Sequence, residues 1–370
     1  MYFMCRKFLT ALLGSCSLFL LSGLPASGET TFTDQGGQTI TLSEPIQKAV
    51  TIPIPSASMF IALDGDTSRL AGMHRLSKSA MEGFLLGRFF PQALNIRDDV
   101  VGEGFMPNVE TLAALNPDIV FQWGSWGEDI IEPIRNAGLR VALFKYGTQE
   151  YLEGWISMFG SVLGKEEKAH TILAWHHATR KKLETAVAEI PEEERPRVLY
   201  LLRYASGLKV SGRDTYNDFS IRLAGGKNVA KEAAQFAEVN EEQLILWDPE
   251  VILLNGFEKG VCPEDLYSNP KLASLSAVRN RRIYKMPLGG YRWDPPNQES
   301  PLMWQWLATV LHPEKFHWDL RKEMTEKYLY LYGKKPTSQD FEQIFRVAMN
   351  KSSSNYETFF LPEEGALQNP

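Results

Sequence analysis

The sequence predicts an α/β protein built as two doubly wound, parallel-sheet lobes joined by a single long helix. Three observations carry that prediction. Short apolar strand patterns alternate with helical ones along most of the chain. Residues 151–190 show helical periodicity and no strand pattern. The order of elements before that stretch recurs after it.

Residues 31–42 alternate apolar and polar side chains around Gly36-Gly37, which predicts a β-hairpin. Residues 48–54 form a short apolar strand, 58–64 a helix and 70–73 another strand. Residues 109–115 are an amphipathic helix stopped by Asn116-Pro117-Asp118, and a buried strand starts at Ile119. A helix over 130–137 with Gly138 as its cap leads to a strand over 141–144. In the middle stretch Leu163, Ala169, Ile172, Leu173, Leu183 and Val187 recur at helical spacing, and Pro191 with an acidic run ends it. A structureless loop of that length is disfavoured, so a rigid connecting helix is expected. The second half then offers strands over 197–202, 251–254 and 283–286 and helices over 216–223, 240–246 and 302–311. Residues 240–254 parallel 108–121: helix, Asn/Asp-Pro stop, apolar strand.

The expected boundaries are a signal segment over 1–28, an N-terminal lobe over 29–150, the connecting helix over 151–190 and a C-terminal lobe over 191–316. A helical extension follows over 317–350, and a flexible tail over 351–370. The signal reading rests on Arg6 and Lys7, an apolar run from Phe8 to Leu24, and small residues ending at Gly28. It places the protein in the periplasm after cleavage near Gly28. A competing reading takes Leu13-Gly14-Ser15-Cys16 as a lipoprotein box with a lipid anchor on Cys16, although Cys16 falls inside the apolar run. After cleavage only Cys262 remains of the three cysteines, so no internal disulfide is expected and the role of Cys262 stays open.

The chain has 370 residues, 44% hydrophobic and 23% charged, with a net charge of −6. It carries no Lys/Arg-rich block. That argues against nucleic acid and against a polybasic membrane surface as partners. The sequence has no HExxH, GxSxG or GxxxxGK[ST] pattern, and the pairs Asp98-Asp99 and Glu241-Glu242 read as adjacent carboxylates in a surface turn or a first helical turn. No catalytic residue and no enzyme activity are expected. Bare metal ions need convergent His, Asp or Glu ligands. His170 and His177 are about 10 Å apart along a helix from its rise per residue, too far for one ion, so no protein-ligated metal is expected. His74 follows a strand at the expected cleft rim, and its role stays open.

Ligands in open α/β lobes sit beyond the carboxyl ends of the strands. Those ends supply Trp123, Trp126, Tyr146, Arg203, Tyr204, Tyr291, Arg292 and Trp293 as candidate ligand-binding residues. Aromatic faces suit a bulky organic ligand. A guanidinium fork suits carboxylate, catecholate or hydroxamate oxygens.

Several segments carry a family resemblance. Val109-Glu110-Thr111-Leu112-Ala113-Ala114-Leu115-Asn116-Pro117-Asp118-Ile119-Val120 resembles a first-lobe signature of periplasmic binding proteins for iron complexes and cobalamin. Val239-Asn240-Glu241-Glu242-Gln243-Leu244 with Trp247-Asp248-Pro249-Glu250-Val251-Ile252 is similar to the second-lobe signature. Leu223-Ala224-Gly225-Gly226-Lys227-Asn228, Asn280-Arg281-Arg282-Ile283-Tyr284 and His312-Pro313-Glu314 add to it, over roughly residues 31–345. The resemblance implies a monomeric receptor with a ligand cleft between its lobes, which feeds the permease and ATPase of an ABC importer. The implied cargo is an iron chelate of siderophore type, with cobalamin, haem or a nickel chelate as alternatives. A metal-centre enzyme of similar build is the rival from another class. No resident cofactor is implied. The family's permease-docking acids fall on Glu110 and Glu242, with Glu241 as a competitor for the second place.

Overall fold

Apolar β-branched runs too short to form a helix become the centre of each lobe. The computed structural model describes residues 28–360. The signal segment, Cys16 included, lies outside the described residues apart from Gly28, as do residues 361–370 of the tail. In the N-terminal lobe β3 (Ala49–Thr51), β4 (Leu70–Met73), β5 (Ile119–Trp123) and β6 (Val141–Phe144) lie in the order β4-β3-β5-β6, all parallel. Strands β3, β5 and β6 are buried throughout, as sheets covered on both faces require.

The hairpin read near the start is present as antiparallel β1 (Thr30–Thr33) and β2 (Thr39–Leu42), with Thr30 opposite Leu42. Its turn has a structural task. Asp34 Oδ2 accepts from Leu143 N at 2.9 Å, and Gln35 Oε1 accepts from Lys145 N at 2.6 Å. The turn thereby satisfies the open edge of β6, which unpaired would invite other strands.

The middle stretch is two helices and not one. Gln149–Leu163 ends at Gly164, whose φ of 64° is left-handed, and Glu166–Ala188 begins beyond it. Lys165 N reaches back to Gly160 O at 2.7 Å, so the chain turns there. The first helix belongs to the N-terminal lobe: Trp155 stacks on Phe144 at 5.2 Å, and Phe159 packs on Phe60 and Phe121. Glu166–Ala188 alone connects the lobes.

The C-terminal sheet has β7 (Arg197–Arg203), β8 (Lys209–Ser211), β9 (Lys227–Asn228), β10 (Phe236–Glu238), β11 (Val251–Leu254) and β12 (Ile283–Lys285). Its order is β10-β8-β7-β11-β12, with β9 paired to β7. Strands β7, β9, β11 and β12 are parallel, whereas β8 and β10 form an antiparallel margin beside β7. The margin arises because the turn after Arg203, with Gly207 at φ 101°, sends the chain straight back along β7.

The echo between halves is built from matching chemistry. Helix Val109–Leu115 is capped by Asn108, whose Oδ1 accepts from Thr111 N, and ends on left-handed Asn116. Helix Glu241–Trp247 is capped by Asn240, whose Oδ1 accepts from Gln243 N, and ends on left-handed Asp248. A parallel strand follows each.

Helix Ser300–Leu311 is buried along its whole length. The extension is ordered further than its polar composition predicts. After helices Leu320–Tyr332 and Ser338–Ile344, residues expected in the frayed tail fold back, and Ser353, Tyr356 and Phe359 are buried. Tyr356 Oη accepts from Trp306 Nε1 at 3.1 Å and donates to Phe345 O. The extension also ties the lobes together. Tyr328 and Tyr332 donate to Glu299 of the C-terminal lobe. Lys334 donates to Phe89 O, Arg88 pairs with Asp340, and Lys168 donates to Leu331 O at 3.1 Å.

Candidate functional site

The carboxyl ends of the parallel strands of the two sheets face each other across a cavity of about 470 Å³. Strand β5 delivers Trp123 and, through the following turn, Trp126; β6 delivers Tyr146. Phe105 joins them from the loop ahead of helix Val109–Leu115. The rings form one wall: Trp123 stacks on Trp126 at 5.2 Å, Phe105 meets Trp126 edge-on at 4.6 Å, and Trp123 meets Tyr146 at 6.1 Å. Tyr146 then touches Phe236 of β10 at 5.9 Å, which carries the aromatic surface into the other lobe. Burial, and then the nearby Asp294 charge, raise the Tyr146 phenol above its ordinary value, so it stays neutral.

The opposite wall is more polar. Arg203 at the end of β7 donates to Leu202 O at 2.6 Å and lies over the Phe257 ring at 5.3 Å. Among the described residues it has no carboxylate within ion-pair distance. Its loop is held by Glu258, which accepts from the backbone N–H groups of Tyr204, Ala205 and Ser206 at 2.8–3.2 Å. Burial raises the Glu258 carboxyl, but bonds from Tyr204, Asn255 and Ser206 outweigh that and leave it below its ordinary value. Ser206, Lys209, Asn217 and Asp294 also line this wall. Lys209 is paired with Glu238 at 3.0 Å.

Of the eight candidate ligand residues, Trp123, Trp126, Tyr146 and Arg203 meet in this cavity. The other four have different positions. Tyr204 points away, its hydroxyl accepting from Asn269 Nδ2 at 3.0 Å. Trp293 is buried and donates to Glu299 at 2.8 Å, and Tyr291 is buried in the same loop. Arg292 is only 1% exposed and is spent on structure. It donates to Gly256 O of its own lobe at 3.0 Å, then across to Leu76 O at 2.9 Å and Ser79 Oγ at 3.1 Å of the N-terminal lobe. A guanidinium so occupied holds the lobes together, and Arg292 is not among the residues that line the cavity.

His74 caps helix Arg75–Ser79, its Nδ1 accepting from Leu76 N at 2.9 Å. Burial, helped by Arg75, lowers its pKa to about 4, so the ring is neutral and acts as an acceptor. That helix places Leu76 at the cavity. Cys262 stands at the start of helix Pro263–Tyr267 and is not among the residues that line the cavity.

Sequence reasoning missed Phe105, Tyr200, Phe236, Phe257 and Asp294. Phe257 follows the end of β11, and the strand-end rule applied there would have found it. Asp294 stands one residue beyond the last candidate chosen. Phe236 lies on an edge strand with too short a pattern to be read, and Phe105 has a backbone φ of 66° in an irregular loop.

Glu110 and Glu242 sit at the exposed starts of the two matching helices. Glu241 is engaged with Lys271 at 2.8 Å, whereas Glu242 is in no ion pair among the described residues.

Residues 91–288 match a family model described as periplasmic binding protein. The molybdate-binding protein MolA of Haemophilus influenzae is 24% identical over 347 residues, covering 88% of this chain and 96% of that protein. The Fe(3+)-citrate-binding protein YfmC of Bacillus subtilis is 22% identical over 185 residues, half of this chain and 58% of that one. Among solved structures, a periplasmic solute binding protein from Veillonella parvula superposes with a TM-score of 0.79 at 28% identity, over 88% of this chain and 99% of that one. MolA bound to molybdate superposes with a TM-score of 0.74 at 23% identity, over 83% of this chain and 99% of that one.

Proposed function

The chain belongs to the periplasmic binding protein family of ABC importers, and from that premise we propose that it captures an iron chelate of siderophore type in the periplasm and delivers it to a membrane permease. The observation that carries this reading is the aromatic cavity of about 470 Å³ with Arg203 facing its rings. That volume falls in the range of small organic ligand sites, roughly 300–1,000 Å³. Ring faces bind the organic shell of a chelate. Arg203 supplies a charge-assisted donor to its oxygens.

A second reading is a bare oxyanion, favoured by the full-length similarity to a molybdate-binding protein. A tetrahedral anion needs several converging donors, and this cavity offers Arg203, Lys209, Ser206 and Asn217 within a mostly apolar lining. Titrating the purified mature protein with ferric citrate, a ferric trihydroxamate and molybdate, with Trp fluorescence as readout, separates the two. The chelate reading expects saturable one-to-one quenching by a ferric complex and no turnover. Binding of molybdate alone overturns it.

Delivery requires both lobes to be held by the permease at once. Glu110 and Glu242 are the acids proposed for that contact, Glu242 being favoured over Glu241 because Glu241 pairs with Lys271. Uptake in cells is expected to fail in the Glu110→Ala/Glu242→Ala double variant while chelate affinity stays at the wild-type level. Normal uptake, or affinity falling in parallel with uptake, would exclude these residues as docking contacts.

A further inference from the structure

Asp294 is a cavity-lining residue, 1% exposed, whose carboxyl is half used. Its Oδ2 accepts from Tyr200 Oη at 2.6 Å and from Gly256 N at 3.0 Å. Its carbonyl accepts from Asn217 Nδ2 at 2.9 Å, so the residue is fixed in place. Oδ1 is buried and has no hydrogen-bond partner. No Lys or Arg nitrogen among the described residues pairs with this carboxylate. Arg292, two residues before it, donates to Gly256 O, Leu76 O and Ser79 Oγ, and Lys285 donates to Glu258 O. Arg346 lies over the Phe84 ring with Nε and Nη2 unpartnered, yet none of its nitrogens comes within ion-pair distance of Asp294.

A buried carboxylate oxygen without a donor is costly, more so than a neutral acceptor. Such groups persist where a missing partner arrives with function. Asp294 lines the ligand cavity, and Oδ1 is its one carboxyl oxygen still free to accept from a donor held there. We propose that Asp294 is a ligand-contacting, specificity-determining residue, and that the bound chelate carries a protonated amine directed at it. The inference rests on the chelate reading above. The ligand is then amphoteric. Its chelating oxygens face Arg203, its ammonium faces Asp294, and its organic body lies against the rings of Trp123, Tyr146 and Phe257.

The probe is a ferric linear trihydroxamate ending in a primary ammonium, compared with the same complex trimethylated at that nitrogen. Trimethylation keeps the positive charge, and with it the attraction to aromatic faces, but removes every N–H donor. Wild-type protein is expected to bind the ammonium form roughly ten- to hundredfold more tightly, the range of a charge-assisted bond. In Asp294→Asn the amide oxygen replaces Oδ2 for Tyr200 and Gly256, and its N–H₂ presents a donor where the ligand also has one. The preference is expected to collapse toward equal binding. Equal binding of the two complexes by wild type, a result that needs no variant, overturns the inference. So does a preference that survives Asp294→Asn. If neither trihydroxamate binds but ferric citrate does, the amine inference fails and the chelate reading stands. If none of the three binds, both fail.

Discussion

The two walls of the cavity are made from equivalent strand ends, yet they differ in chemistry. The N-terminal wall is Phe105, Trp123, Trp126 and Tyr146, rings that lean on one another and on a sheet buried on both faces. The C-terminal wall sets Arg203, Asn217 and Asp294 among fewer rings and is held by loops, each pinned by a buried or half-buried carboxylate. Rings attract many flat or greasy surfaces with little direction, whereas a guanidinium or a carboxylate demands a partner at one place. On the proposed chelate reading, the difference assigns contact area chiefly to the N-terminal wall and ligand choice chiefly to the C-terminal wall, and the variants below test that division.

The largest effect tests what fixes the polar wall. Glu299 accepts from Gly290 N, Trp293 Nε1, Tyr328 Oη and Tyr332 Oη, and so clamps the loop carrying Arg292 and Asp294 to the C-terminal extension. Glu299→Ala removes one acceptor group and orphans four buried donors. It is expected to destabilise the protein by about 3–5 kcal/mol, the cost of breaking a buried charged network. Urea denaturation measures it; a loss under about 1 kcal/mol, the worth of one ordinary hydrogen bond, would show that the clamp is not what holds this wall.

Acid reaches the other wall. His74 supports the N-terminal side, and its pKa is lowered to about 4 by burial and Arg75. His176, under both lobes between Gln149 Nε2 and Gln298 O, is lowered to about 3, chiefly by burial. Both folded values lie below the unfolded one, so the unfolded chain takes up protons first. Stability is therefore complete above about pH 6.5 and falls as pH drops toward 4 and 3. At pH 5 each imidazole is expected to cost about 2 kcal/mol. Thermal melts from pH 7 to 5 should show the loss, and His176→Gln should flatten about half of it. A melting temperature indifferent to pH over that range would contradict the assignment.

The contrast between walls sharpens in a pair of variants. Arg203→Ala is expected to cost roughly ten- to hundredfold in affinity for ferric citrate. Trp126→Ala removes one ring, 41% exposed, from a wall that retains three others. It is expected to cost only about 0.5–1.5 kcal/mol, and to cost it equally for every ferric complex tested. A Trp126 variant that changes the order of preference among chelates would place selectivity in the aromatic wall.

Much of this was legible because local chemistry fixes it. Asn108 and Asn240 announce their helices as caps, Asn116-Pro117 and Asp248-Pro249 end them, and the apolar runs at 119–123 and 251–254 have one low-energy use. Trp123, Trp126, Tyr146 and Arg203 followed from knowing where strands end. The break at Gly164 had a signal too, a glycine closing an apolar period, but the periodicity resumes so soon that the two helices read as one. Arg292 was misassigned for a deeper reason. Arg203 and Arg292 each follow an apolar strand, and only the tertiary fold decides that one meets a cavity and the other meets Leu76 O and Ser79 Oγ. The tail was misjudged likewise, because Tyr356 and Phe359 are ordered by distant Trp306 and Phe345 and by nothing in their own polar neighbourhood.

The smallest expected effect concerns the distance between the walls. If selectivity sits on one wall and area on the other, a ligand must touch both, and a wide hinge would let them part. Three ties oppose that. Helix Glu166–Ala188 runs unbroken between the lobes and bends little without a proline or glycine inside it. Arg292 bridges from the C-terminal lobe to Leu76 and Ser79 on the cavity side. The extension adds a second bridge, through Lys334 to Phe89 O and through Tyr328 and Tyr332 to Glu299. Together these ties resist rocking of the lobes, so the radius of gyration is expected to stay unchanged within error when a ferric chelate is added. A compaction of several ångströms in solution scattering would mean that the Arg292 bridge opens in the unliganded protein. In that case Arg292→Ala should shift the unliganded protein alone, and if it shifts neither state the bridge carries no part of the restraint.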